Sequence, residues 1–173
     1  MAAQLTSYAV ELLLNAVWTD VTDDVLLGEE PLRFHYGIDG NGPMDRVANT
    51  GWCLFVLDNS AGNSASTLGY YSPLHTSVRS GFTFGISVRV RFTYSGTTYY
   101  KFRGRLKDID PVPGSSRERI TRCMAVDWME EAAEHQVRGV DLQISQRSDQ
   151  VFSAVLADIT TQPAATSIAT GKD

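Results

Sequence analysis

The sequence predicts a mainly β fold, a β-barrel with a sandwich as the second choice, carrying two short helices toward the C-terminus. Three observations lead there. Short apolar runs separated by turn residues fill the first two thirds of the chain, a clean period of two marks residues 86–105, and the spacing becomes helical after Val126.

The elements follow in order. Tyr8 to Leu14 is rich in Leu and Val, and Trp18 to Leu27 is a second strand candidate. Leu32 to Ile38 is a third, closed by the turn-rich segment Asp39-Gly40-Asn41-Gly42-Pro43. Trp52 to Leu57 is nearly continuous apolar sequence, as a buried strand requires. Residues 58–69 have turn composition and no apolar period, so an exposed, mobile loop is expected. Between 86 and 105, Ile86, Val88, Val90, Phe92 and Tyr94 alternate with polar residues, and the chain turns near Ser95-Gly96-Thr97. The apolar sets of the two arms meet only if 94 faces 98, 92 faces 100 and 90 faces 102. That predicts a three-residue loop or a bulge.

Ile120 to Val126 is the last strand. Asp127, with Glu130 at the third helical position, caps a short helix over about 127–136 that ends near Gly139. A second helix is expected over 148–159, capped by Ser148, with Val151, Phe152, Val155, Leu156 and Ile159 as its apolar stripe. The tail from Thr160 reads as a linker with nothing to pack against. The resulting organisation is a β-barrel domain over 1–126, accessory helices over 127–160, and 161–173 as a linker or the start of a further domain.

The chain of 173 residues carries a net charge of −5, distributed unevenly. Residues 1–86 hold 3 basic and 9 acidic side chains, and residues 87–173 hold 12 and 11. Such a balance disfavours general duplex binding, because phosphates repel it. No apolar run approaches the ~18 residues of a membrane helix, and the N-terminus lacks the basic region of a signal peptide. Cys53 and Cys123 each fall in strand-like sequence and read as reduced, buried thiols.

A search for chemistry returns no catalytic constellation. There is no nucleophile elbow, zincin motif, phosphate loop or C-x-x-C pair. Asp39, Asn41 and Asp45 faintly resemble a calcium loop, but its twelfth position is Thr50 instead of a bidentate Glu. His35, His75 and His135 have no sequence-near catalytic partner. No catalytic residue, metal or cofactor is expected, and a two-carboxylate glycosidase ranks last among the readings. Tyr70-Tyr71, Tyr99-Tyr100 and Trp18 suit either a sugar platform or barrel packing, with packing preferred.

The basic hairpin is more informative. Six basic residues and no acidic ones lie between Ser87 and Lys107. Alternation puts Arg89, Arg91, Lys101 and Arg103 on one face, either solvated or opposed to an acidic surface. The acidic complement is Asp20, Asp23, Asp24, Glu29 and Glu30, within one subunit or between copies.

Several segments in order resemble the minor tail or baseplate-hub proteins of tailed bacteriophages. They are Trp18-Thr-Asp-Val-Thr-Asp-Asp-Val, Gly37-Ile-Asp-Gly-Asn-Gly-Pro-Met-Asp-Arg-Val-Ala, Leu57-Asp-Asn and Gly69-Tyr-Tyr-Ser-Pro, followed by Phe102-Arg-Gly-Arg-Leu-Lys-Asp-Ile-Asp-Pro and Thr121-Arg-Cys-Met-Ala-Val-Asp-Trp. The resemblance implies a structural virion protein of the tail tip, assembled in the host cytoplasm. It also implies a ring, often a trimer, that docks onto the distal tail ring protein and contacts the tape-measure protein and a fibre or spike protein. It implies no enzyme activity, no membrane insertion, and DNA only in transit. Hub proteins of this kind usually continue beyond the point where this chain stops. In such a ring the acidic set is expected to approach the lumen and the basic face to meet a neighbour. Asn59, Asn63, Tyr70 and Tyr71 form a candidate contact loop that orders on binding. The alternative is a carbohydrate-binding β-module for host-surface recognition, which needs several Tyr or Trp on one exposed face.

Overall fold

A computed structural model describes residues 7–28, 30–37, 42, 44, 49–114 and 119–171. Seven strands form one antiparallel sheet: β1 (Ser7–Leu14), β2 (Val17–Asp20), β3 (Arg33–Gly37), β4 (Asn49–Asp58), β5 (Ser87–Tyr94), β6 (Thr97–Val112) and β7 (Ile120–Val126). Their order across the sheet is β2-β1-β5-β6-β7-β4-β3. The helices α1 (Trp128–Glu134) and α2 (Ser148–Asp158) follow. The Asp39, Asn41 and Asp45 turn lies outside the described residues.

The alternation read from the sequence builds one core. Val10, Leu12 and Leu14 of β1 join Val88 and Val90 of β5, Phe102 and Leu106 of β6, Phe55 and Leu57 of β4, and Ala125 of β7. The sheet is strongly curled. Phe34 in β3 and Phe92 in β5 are four strands apart, about 19 Å in a flat sheet, yet their ring centroids lie 6.3 Å apart.

Closure is nevertheless incomplete, which corrects the barrel expectation: among the described residues no ladder joins β2 to β3. The chain instead crosses the gap after β2. Val21 N–H donates to Val10 O at 2.9 Å, and Leu26 N–H donates to Val56 O at 2.9 Å. Residues 18–27 are therefore a short edge strand, a single 3-10 turn at Thr22–Asp24 and an isolated Val25–Leu57 bridge.

The β5–β6 hairpin turns on two residues, Ser95 (φ 48°) and Gly96 (φ 78°), so Tyr94 pairs with Thr97. Both values are positive, as a type I′ turn demands and as glycine adopts without strain. The expected bulge exists, but within the ladder. Val90 faces Phe102 and Arg91 faces Tyr100, leaving Lys101 as the extra residue. The bulge restores the apolar face below it and places Tyr100 opposite an arginine.

The expectation of an exposed loop over 58–69 holds for Ala61, Gly62, Ser64, Ala65 and Ser66 but not for the residues that anchor it. Asn59, Ser60, Asn63 and Tyr71 are buried. Asn59 Oδ1 accepts Tyr71 N–H at 2.8 Å, and Asn63 Nδ2 donates to Ser60 O and Thr67 O at 2.6 and 2.7 Å. Polar side chains replace the missing strand ladder as partners for the backbone.

The loop is tied to the crossover by a buried carboxylate. Asp24 accepts from Ser64 N–H at 2.6 Å, from Ser64 Oγ at 2.7 Å and from the Tyr71 hydroxyl. Arg79 donates to Tyr71 Oη at 2.6 Å and lies 3.8 Å from Asp24. Burial, then the bond to Asp24, raises the Tyr71 pKa well above the usual phenol value despite the nearby Arg79 charge. Tyr71 thus stays protonated and donates.

The helices depart from expectation in packing more than in position. Asp127 caps α1 by accepting Met129 N–H at 3.0 Å. Arg147, not Ser148, occupies the cap position of α2, and its N–H donates to Gln150 Oε1 at 3.0 Å. No residue of α2 is buried, and Phe152 of the expected stripe is half exposed; Ile159, just beyond the helix, is buried. The tail is not a free linker. Trp128 Nε1 donates to Thr161 O at 2.6 Å, and Gly171 N–H donates to Asp149 Oδ1 at 3.0 Å.

Both cysteines are free and buried, as expected. Cys53 pairs with Ala125 and Cys123 with Phe55, so the thiols are diagonal neighbours. Burial pushes the Cys53 thiol up to about 12 and raises Cys123 as well. Two outcomes are expected. The native protein resists iodoacetamide at pH 8 and takes up two equivalents once unfolded in urea. Asp24→Ala, which strands Arg79 and Tyr71, lowers stability by about 3–5 kcal/mol in urea titrations.

Candidate functional site

The outer face of the sheet carries an ordered row of charge. Register places Asp20 (β2) opposite Glu11 (β1), Glu11 opposite Arg89 (β5), and Arg89 opposite Arg103 (β6). Two acids are thus followed by two arginines across four strands. Like charges directly opposite one another are unfavourable unless compensated. Compensation comes from Glu11, whose Oε2 accepts from Arg89 Nε at 2.6 Å and lies 3.2 Å from Arg91 Nε. Arg91 also approaches Asp20 at 3.8 Å.

Aromatic rings complete the row. The Arg89 guanidinium lies 4.1 Å from the Trp18 ring centroid and 5.3 Å from that of Tyr100, and Arg103 lies 4.3 Å from Tyr100. The planar guanidinium stacks while keeping its donors in its own plane, so Arg89 serves Glu11 and two rings together. Lys101, displaced by the bulge, lies 5.8 Å from Tyr99. Among the described residues Arg103 has no carboxylate partner.

Beside Arg103, a cleft of about 530 Å³ opens between β6 and α1. Trp18, Phe84 and Trp128 contribute rings to it, and Arg103, Arg105 and Lys107 line one side. Lys107 bonds Glu130, and Arg105 sits 3.9 Å from Glu131, while Arg103 and Glu134 line the cleft with no ion-pair partner among the described residues. Gly104 holds the adjoining strand close: a Cβ there would meet Val126 O at 2.1 Å. Thr161, Gln162 and Ala164 also line the cleft.

The basic residues expected to share a face therefore do so, except for Lys101 at the bulge, but Arg89 and Arg91 are engaged within their own chain. The acidic set is dispersed. Asp24 is buried, Asp20 meets Arg91, Glu30 pairs with Arg122 at 2.9 Å, and Asp23 is exposed. Glu29 lies outside the described residues. Of the contact-loop candidates, Asn59, Asn63 and Tyr71 serve the interior, and Tyr70 packs edge-on against Tyr71 at 5.2 Å.

Sequence reading missed Glu11, although one acid inside the apolar run 8–14 signals a required partner. It also missed Phe84 and Trp128, which take on meaning only once the cleft is formed. Among the described residues no cluster of His, Cys, Asp or Glu is arranged to hold a metal, and no helix is long and apolar enough to cross a membrane.

No protein-family model and no curated protein sequence matches the chain.

Reversing Arg89 to Glu places three carboxylates together under an indole. The expected outcome is a loss of about 3 kcal/mol, read as a lower urea midpoint of the isolated chain.

Proposed function

We propose that the chain is a structural subunit of a phage-type tail tip. In this reading it is a hub or baseplate ring component that docks to the tail tube and anchors tape-measure, fibre or spike proteins. The proposal starts from the sequence resemblance. The observation that supports it best is a curled sheet ending in two strand edges, with the open Arg103 and an aromatic cleft on its outer face. Such features suit contact with other chains, since sheet edges and arginine–aromatic patches are frequent docking elements. The barrel-like reading of this open, curled sheet belongs to the same proposal, with the crossover at 21–26 narrowing a gap that no ladder closes among the described residues.

Carbohydrate binding is the second reading. It is favoured by Trp18 and Tyr100 standing on one face with Arg89 between them. That same guanidinium covers one side of the indole, which weakens the platform as a sugar surface.

The test is size-exclusion chromatography with light scattering at low and high salt. The ring reading expects a multimer near three copies that loosens as salt rises. A monomer at all salts, retained on a host-polysaccharide column and released by Trp18→Ala, would replace the ring with the carbohydrate module.

A further inference from the structure

The segment joining the two helices has an unusual surface. Residues 137–147 form neither helix nor strand, yet Val140, Leu142 and Ile144 alternate with Asp141 and Gln143 as in a strand. Leu142 is 85% exposed and Ile144 69% exposed. Adjacent exposed branched aliphatics of this kind mark contact sites more often than isolated surface residues do. Asp141 is exposed beside them, and among the described residues its carboxylate has no ion-pair partner.

The cleft between β6 and α1 has the complementary character. Its rings come from Trp18, Phe84 and Trp128, and it is lined by charges without an ion-pair partner among the described residues, the cationic Arg103 on the β6 side and Glu134 on the α1 side. A volume of about 530 Å³ lies in the range that takes a small ligand or a few side chains. The segment offers two apolar side chains and one carboxylate, and the β6 side of the cleft offers apolar walls and the Arg103 guanidinium, with Glu134 on the opposite, α1 side.

We propose that this cleft receives the Asp141–Ile144 segment of a second copy of the chain. Leu142 and Ile144 enter among the three rings, and Asp141 pairs with Arg103. The inference rests on the assembly reading and supplies its contact. Because cleft and segment are different patches of one chain, repeating the contact head to tail generates a ring when the rotation closes. Arginine suits the role because its fork takes a carboxylate in two parallel bonds while its face stays on Tyr100.

The experiment is a charge swap read by sedimentation equilibrium on the full chain, with circular dichroism to verify folding. Arg103→Glu, Asp141→Arg and Leu142→Asp are each expected to weaken association by about tenfold or more. The double variant Arg103→Glu/Asp141→Arg is expected to recover most of the loss. All these positions are exposed or lack an ion pair within the chain, so folding should survive each change. A synthetic peptide of residues 137–147 should also perturb tryptophan emission in the wild type and fail to do so in Arg103→Glu. Multimers indifferent to every variant would overturn this contact while leaving the ring reading in place. Single variants that weaken association without rescue by the swap would overturn the Asp141–Arg103 pairing. A wild-type chain that stays monomeric would overturn both the contact and the ring.

Discussion

The structure depends on one buried carboxylate. Asp24 lies where the chain leaves β2 and heads for the far edge of the sheet, and it binds Ser64 and Tyr71 of a 28-residue stretch with no regular structure. Without that anchor, the crossover between β1 and β4 and the long loop over the core would lose their common attachment. Arg79 balances the charge from the loop side, with the Tyr71 hydroxyl between the two. Removing one partner of a buried ion pair is costly because the other charge is left uncompensated. Here the pair joins the crossover after β2 to the loop between β4 and β5.

The outer face follows a different logic. Strand register forces two acids and two arginines into a single row, and Glu11 and the neighbouring rings absorb most of the resulting tension. What remains unsatisfied is displaced to one end, at Arg103. Position in the register row, more than the number of basic residues, decides which arginine is available to a partner. This is why a hairpin that looks uniformly basic contains members with opposite roles. Arg89 and Arg91 hold the fold, and Arg103 faces outward.

Much of this was legible in the sequence. The strand at Ile120–Val126 and the helix beginning at Ser148 emerge at their observed positions because apolar spacing acts locally, although the cap of that helix falls on Arg147 and not on Ser148. The bulge was legible as a mismatch between two alternating patterns, although its location depends on the two-residue turn at Ser95-Gly96. The interior role of Asn59 and Asn63 was hidden because an amide bonded to its own loop and one bonded to water look alike in composition. The gap between β2 and β3 was equally invisible, since closure is set by how far apart distant strands finish. Of the candidate surface, Arg103 was among the residues singled out, whereas its setting beside Trp128 and Phe84 arises only from α1 folding against β6.

The attachment of α2 has a mechanical side. The helix has no buried residue: Val151, Val155 and Leu156 are half-buried, the buried Ile159 follows it, and a few polar ties hold it, among them His135 with Asp158 at 3.0 Å and Asp149 with Gly171. The sheet, by contrast, is held by ladders whose bonds load together. Tension applied from the C-terminal side would open the polar ties one after another and pay out the helix as slack before any strand slid. The chain thus carries an extensible leader in series with a stiff body, and a pull on this end would reach the sheet only after the leader had run out.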